Sequence, residues 1–326
     1  MSARPAPVHN MTDDNRRPPE PQATSASPEP QATSTCPEPQ APSTCPEPQA
    51  PSTPQRSKSR THSSKADLNP PSPRLLALFR MYVRVYLRRH FHALRIAHRE
   101  RCPQPASGHP AAPLILYINH PSWWDPLTSL IVATSLLPAS EHYGPMDSAA
   151  LAHYSFFRRL GMFPVEAGTP RGAAQFLRSS VAALSRGGVL WVPPEGAFTD
   201  VRTRPLHFKP GLGALISRLP HAVLLPVAFE YTFWQERLPE ILVNIGHPLA
   251  FESGHTPEEA NTRLKAAMAR TLDELATLST ARNPAAFHTL LSGAAGVAGV
   301  YNTWQRMRAK LRGEVYRPEH GSIRRP

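Results

Sequence analysis

Several things are scarce in this sequence, and each scarcity excludes something. There are three cysteines in 326 residues; Cys36 and Cys45 belong to a repeat and Cys102 stands alone. No disulfide framework or metal-ligand spacing is built from that set, which agrees with a reducing compartment. The N-terminus has no apolar segment of the secretory type, so cytoplasmic residence is the expectation. No run of about eighteen uncharged apolar residues occurs, so no segment is expected to span a bilayer. A G-x-S-x-G turn, which would expose a nucleophilic serine, is also missing.

The first seventy residues lack apolar side chains almost entirely. PEPQA recurs there from Pro19, Pro28, Pro37 and Pro46, a nine-residue period filled out with Ser, Thr, Pro and Ala. Proline removes backbone donors and favours extended conformers, so residues 1–70 are expected to form a disordered, semi-stiff tail. The remaining chain is long enough for one sizeable domain. Acidic residues are scarce next: residues 71–101 carry 8 Lys and Arg against 1 acid, which is more than half of the chain's +12 excess. Within them Arg80, Arg84 and Arg88 recur every four residues, while Leu76, Phe79, Val83, Tyr86 and Leu87 recur at threes and fours on another face. That is a basic amphipathic helix, assigned here to residues 71–105 and suited along 74–99 to an anionic membrane surface. Packing of its apolar face on the domain is the alternative, compatible with the first. Nucleic acid is a third option for a basic stripe and the least favoured, so none is expected as a partner, because no binding module accompanies the charge.

From residue 106 the pattern alternates. PLILYIN (113–119), GMFPVE (161–166), VLWVPPE (189–195), AVLLPVAFE (222–230) and ILVNIG (241–246) read as buried strands. Residues 126–137, 148–160, 172–185, 211–219 and 256–278 read as helices. Such alternation predicts an α/β fold with a mixed, partly parallel sheet flanked by helices, whose sites form beyond the carboxyl ends of strands. Near the C-terminus, LLSGAAGVAGVYNTW is too rich in glycine for a membrane span. WQRMRAKLRGEVYRP after it is a second basic amphipathic stretch.

Apart from His9 with Asp14 close to the N-terminus, in the same apolar-poor tail, three His-x4-Asp pairs occur: His62 with Asp67, His120 with Asp125, and His142 with Asp147. With 15 histidines and seven aspartates in 326 residues, roughly a third of one is expected by chance, so context must choose. The first lies in the tail. The third has no strong apolar strand ahead of it and a proline within its spacer. His120 alone follows a strand end, and Asp125 opens the next helix, where a carboxylate meets the positive end of the dipole.

Around that pair, NHPSWWDP (119–126) resembles the NHxxxxD motif of the glycerolipid acyltransferases, which include the lysophosphatidate acyltransferases. GMFPVEAGTPRG, ending near Arg171, is similar to their second motif. PPEGAFTD (193–200) and HFKPG (207–211) are similar to their FPEGTRS and FKxG blocks, and LLPVAFE (224–230) to their VPVAI strand. The resemblance implies acyl transfer from acyl-CoA or acyl carrier protein to a lipid hydroxyl, with no cofactor or metal. It implies His120 as general base and Asp125 as its partner. Glu195, Gly196, Arg171, Lys209, Asn119 and Trp123 are implied to bind substrate or shape its pocket. One departure stands out. Where the family reads Glu-Gly-Thr-Arg, this chain reads Glu195, Gly196, Ala197, Phe198, so the acceptor is left open between a lysophospholipid, a glycolipid and another lipid alcohol. A lipid-binding protein that keeps the fold without turnover is the rival reading.

Overall fold

A computed structural model describes residues 68–104, 112–219 and 221–294, together with 308, 311 and 312. The PEPQA repeat, and most of the C-terminal basic stretch, lie outside the described residues. Leu68 is described and buried, and it packs into the core, so the packed chain begins ahead of residue 71.

Helix α1 (Pro73–His90) leads into β1 (Ala93–Ala97). Then follow β2 (Leu114–Ile118), α2 (Asp125–Leu136), β3 (His142–Asp147), α3 (Ser148–His153), β4 (Met162–Val165), α4 (Pro170–Ser185), β5 (Val189–Val192) and α5 (Gly211–Ile216). The last elements are β6 (Val223–Thr232), β7 (Glu240–Ile245), β8 (Leu249–Ala250), α6 (Pro257–Ala281) and β9 (His288–Ser292). Among the described residues the strands form one mixed sheet in the order β4-β3-β5-β2-β6-β7-β1-β9, with β8 on β6. Strands β4, β3, β5, β2 and β6 are mutually parallel. Strands β2, β3, β4 and β5 are each followed by a helix, and the sheet is covered on both faces, which is why β2, β4, β5 and β6 read as continuous apolar runs.

Alternation along the strands sorts the core into two layers. In β2, Ile115 and Tyr117 face one layer and Leu116 and Ile118 the other; in β6, Leu224 and Ala228 oppose Leu225, Val227 and Phe229. The layer that takes Ile118 and Phe229 is closed by α1 and α2, through Val83, Leu87, Ile131 and Val132. Helices α4, α5 and α6 close the other, through Phe176, Leu215 and Leu264. Helix α6 starts in a capping box: the Thr256 hydroxyl accepts from Glu259 N and the Glu259 carboxylate accepts from Thr256 N.

The basic helix expected over 71–105 is corrected. It stops at His90, and Ala93–Ala97 is instead a strand with every residue buried. Arg95 made this strand look like one more turn of amphipathic helix. Its charge is neutralised inside the sheet: Nε donates to Glu240 Oε2 at 3.0 Å and Nη1 to Thr289 Oγ1 at 2.9 Å. Of that span, the helical basic segment therefore ends at His90. There the face carrying Leu76, Phe79, Val83, Tyr86 and Leu87 packs toward the domain, with Val83 and Leu87 fully buried. A second apolar face, Leu78, Met81, Tyr82 and Val85, is exposed, and the exposed Arg80, Arg84 and Arg88 run between the two. No helix among the described residues is long and apolar enough to cross a membrane.

Candidate active site

Strands β2 and β5 run parallel with Tyr117 opposite Val192. Three residues further along both chains, the same register sets His120 beside Glu195, and the bond is made: His120 N donates to Glu195 Oε2 at 3.1 Å. On the other flank, β2 is in register with β6 up to Ile118 and Val227. The Asn119 side chain extends that ladder by one rung, donating to Phe229 O at 2.9 Å and accepting from Phe229 N at 2.7 Å. A further backbone bond from Thr199 N to His120 O, at 2.9 Å, ties the segment after β5 to the same point. The ends of β2 and β5 and the body of β6 are thus tied together at residues 119 and 120.

The turn from His120 to Asp125 is short, and Asp125 is the first residue of α2. Its carboxylate folds back so that His120 Nδ1 and Asp125 Oδ2 lie 2.6 Å apart, with the aspartate side chain 0% exposed and the histidine 19%. His120 therefore faces outward while Asp125 is sealed beneath it. Ser122 N also donates to Oδ2, at 3.1 Å, and the Tyr231 hydroxyl donates to Oδ1 at 2.7 Å. A carboxylate with no solvent needs donors of this kind to remain an anion. An anionic Asp125 takes the Nδ1 proton of a neutral imidazole as its hydrogen bond, which leaves the Nε2 lone pair free to accept a proton.

Glu195 is buried, and burial pushes its carboxyl above the ordinary carboxylate range; the bond from His120 N works against that rise. Gly196 has φ of +62°, in the left-handed region that favours glycine. Lys209 Nζ passes 2.7 Å from where a Cβ would stand, and donates to Gly196 O at 3.4 Å. The Glu-Gly pair and the lysine of the next block are therefore one packed unit. Arg171 lies in the first turn of α4, exposed, at the carboxyl edge of the parallel strands but on the far side of β5 and β3.

Asn119 needs correction as a substrate ligand. Both ends of its amide are used inside the sheet and the residue is 2% exposed, so it fixes strands rather than meeting substrate. The tryptophans divide: Trp124 is wedged against Tyr86 and Phe91, with ring centres at 5.5 and 4.8 Å, while Trp123 stacks on its outer side and stays 54% exposed. Phe198, which replaces the family's arginine, lays its ring 4.5 Å from that of His120. The two arginines close enough in sequence to substitute are engaged elsewhere. Arg202 grips Asp200 with bonds of 2.8 and 2.7 Å, and Arg204 reaches Asp273 of α6 at 2.8 Å.

His142 and Asp147 are no dyad. They occupy the two ends of β3, roughly 16 Å apart for an extended chain. His142 donates from Nε2 to Leu137 O and accepts at Nδ1 from Trp191 Nε1, while Asp147 caps α3 by accepting from Ala149 N and Ala150 N.

Residues 93–230 match the family model described as Acyltransferase. The chain carries an acyltransferase domain. Among solved structures it is similar to the 1-acyl-sn-glycerophosphate (LPA) acyltransferase, PlsC, of Thermotoga maritima, at 16% identity and a TM-score of 0.45, over 62% of this chain and 79% of that one. No curated protein matches. The acyltransferase match spans β1 to β6, and so takes in His120, Asp125, Glu195 and Lys209.

Two contributors to the site escaped the sequence reading, Tyr231 and Thr128. The signal for Tyr231 was present: with Phe229 on the α2 side of β6, alternation puts residue 231 there too, facing the helix that begins with Asp125.

Proposed function

We propose that this acyltransferase moves a fatty acyl group from an acyl thioester, acyl-CoA or acyl carrier protein, to a hydroxyl of a lysophospholipid or related lipid acceptor. The observation that carries the reading is the 2.6 Å pair of an outward-facing His120 and a sealed Asp125, set at the carboxyl edge of the parallel strands. In this reading the acceptor O–H gives its proton to His120 Nε2 as its oxygen attacks the thioester carbonyl. The C–S bond breaks, and the departing thiolate takes that proton from the imidazolium. Asp125 stabilises the imidazolium without becoming protonated, as the aspartate does in serine-protease triads. A thioester is already activated, so two partners suffice and no covalent acyl-enzyme is needed. Positioned bases of this kind contribute roughly 100- to 10,000-fold.

The acceptor is met at a membrane. The exposed face of α1 joins the site through a run of rings: Tyr82 on Tyr86 at 5.6 Å, Tyr86 on Trp124 at 5.5 Å, Trp124 on Trp123 at 4.2 Å. Apolar side chains flanked by arginines suit the boundary of an anionic leaflet, with peripheral docking from the cytoplasmic side. Within the lipid acceptors, one observation favours those without a phosphate: Phe198 stands by the base, and Arg202 and Arg204 are already paired with carboxylates.

The test is transfer of a labelled acyl chain from acyl-CoA and from acyl carrier protein to a panel of lysophospholipids, glycolipids and long-chain alcohols. Product with any acceptor that disappears in His120→Ala supports the reading. Lipid binding without product from either donor overturns it in favour of a lipid-binding protein without turnover.

A further inference from the structure

The buried oxygen of Asp125 that faces away from His120 has a specific partner on a strand outside the His-x4-Asp turn. Tyr231 OH lies 2.7 Å from Asp125 Oδ1 and 3.1 Å from Thr128 Oγ1. A phenol has one proton. If it goes to the carboxylate, Thr128 must donate to the phenolic oxygen, which gives a directed chain from Thr128 through Tyr231 to Asp125. The other oxygen, Oδ2, is held by His120 and Ser122 N. The carboxylate is thus fixed at both oxygens and cannot rotate without breaking a bond. Tyr231 is itself held in place: its backbone pairs with Ile241 of β7, and its ring lies 5.8 Å from that of Phe91.

We infer that Tyr231 is a positioning residue for the transfer reaction, holding the Asp125 carboxylate in the orientation that keeps the proton of His120 on Nδ1. It acts through Asp125 and does not touch substrate. Burial, and then the Asp125 charge, hold the phenol far above its ordinary range, so it is a donor at every working pH. Among the described residues, His120 and Glu195 are the ionisable groups that face Asp125 besides Tyr231 itself. Among the described residues, Tyr231 is the one that bonds to Oδ1.

The inference rests on the reading of His120 as the base, and the experiment separates the two. Tyr231→Phe keeps the ring and deletes only the hydroxyl. It is expected to lower kcat about tenfold with the acceptor KM within about twofold, and to lower the melting temperature modestly because the buried Asp125 Oδ1 loses its donor. With one donor fewer, the carboxylate charge falls more fully on His120 and favours the imidazolium. The acid limb of kcat/KM is therefore expected to move up by about half a pH unit. The His120 Nδ1–H resonance of 15N-histidine-labelled protein should shift without any substrate present. Thr128→Val should move the same three readouts in the same directions, by less. A Tyr231→Phe enzyme with wild-type kcat, acid limb and imidazole resonance overturns the inference, as does a loss that only tracks melting temperature. Should that variant fail to fold, a Thr128→Val enzyme indistinguishable from wild type overturns it equally. If His120→Ala retains full activity, the catalytic reading itself is wrong; if His120→Ala is dead and Tyr231→Phe is normal, this inference alone fails.

Discussion

Three substitutions on the outer face of α1, Leu78→Gln, Met81→Gln and Val85→Gln, test where the enzyme works. These side chains are 59, 61 and 47% exposed. Full burial of such a side chain is worth about 1.5–3 kcal/mol, so moving the remaining half of each into lipid contributes about 1 kcal/mol, or about 3 for the three. At about 1.4 kcal/mol per tenfold, partitioning onto vesicles should fall by somewhat more than a hundredfold. Glutamine is a good helix former. Val83 and Leu87, the 0%-exposed residues that anchor the helix, are untouched, so the melting temperature should hold. Sedimentation with anionic phospholipid vesicles measures the loss, and salt separates its causes. Arg80, Arg84 and Arg88 add about 1 kcal/mol each near such a surface, and that part is screened as the Debye length shortens. The Gln variant should therefore retain a weak, salt-sensitive binding, and changing the three arginines to glutamate should leave a weak binding that salt strengthens, because the reversed charges repel the surface. A folded Gln variant that sediments as well as wild type would refute the argument, and α1 would then be a structural helix only.

Further outcomes follow from the site and its supports. Asp125→Asn should cost on the order of 1,000- to 10,000-fold in kcat, since an amide in place of the carboxylate disfavours the Nδ1–H tautomer; steady-state kinetics at saturating acceptor reads this. Glu195→Gln keeps an oxygen for His120 N and should retain most activity, whereas Glu195→Ala should lose about 1 kcal/mol of stability in denaturant titration and more of its activity. Burial holds His142 below its ordinary value of 6.5, and the hydrogen bond to Leu137 O works against that fall. The stability it contributes is full above pH 6.5 and falls as the pH drops toward its lower folded value, so the melting temperature should decline on acidification and less steeply in His142→Gln. Removing residues 1–65 should leave melting and activity unchanged, while removal through residue 72 should cost about 2–4 kcal/mol by taking Leu68 out of the core.

Much of this was legible in sequence because strands buried on both faces announce themselves as apolar runs: β2, β4 and β5 lie within such runs, β6 and β7 overlap theirs to within two residues, and His120 follows the first. What escaped did so for physical reasons. Strand β1 contains Arg95, whose charge is cancelled by a glutamate 145 residues away, and no local pattern shows that. Strand β3, HYGPMD, carries a histidine whose hydrogen bonds are met by Leu137 and Trp191, so it lacks an apolar signature. Strand β9 is at the sheet edge and mostly exposed. The motif residues were found where they cluster in sequence, but their roles were not. Whether an asparagine faces a ligand or a neighbouring strand depends on what stands beside it, and that is decided by register.

Asn119 is the sharpest case, because its position in the motif invites a role in binding that its bonds do not support. Its amide replaces the next backbone rung between β2 and β6, and without it the buried N–H and C=O of Phe229 lose their partners on that side. Each buried group left unsatisfied costs about 1–3 kcal/mol, so Asn119→Ala should lower stability by about 2–6 kcal/mol, a large share of what a domain has. The damage should also reach the chemistry. Phe229 is two residues before Tyr231 on the same face of β6, and Tyr231 bonds Asp125, so a loosened strand end frees the carboxylate that orients His120. The expected pattern is a lower melting temperature with a fall in kcat and little change in the acceptor KM. Asn119→Asp provides the control: it keeps the acceptor for Phe229 N but sets a carboxylate oxygen against Phe229 O, and should be no better than alanine. A variant that melts as wild type does and shows only a raised KM would return Asn119 to the substrate, and would break the link drawn here from sheet register to base orientation.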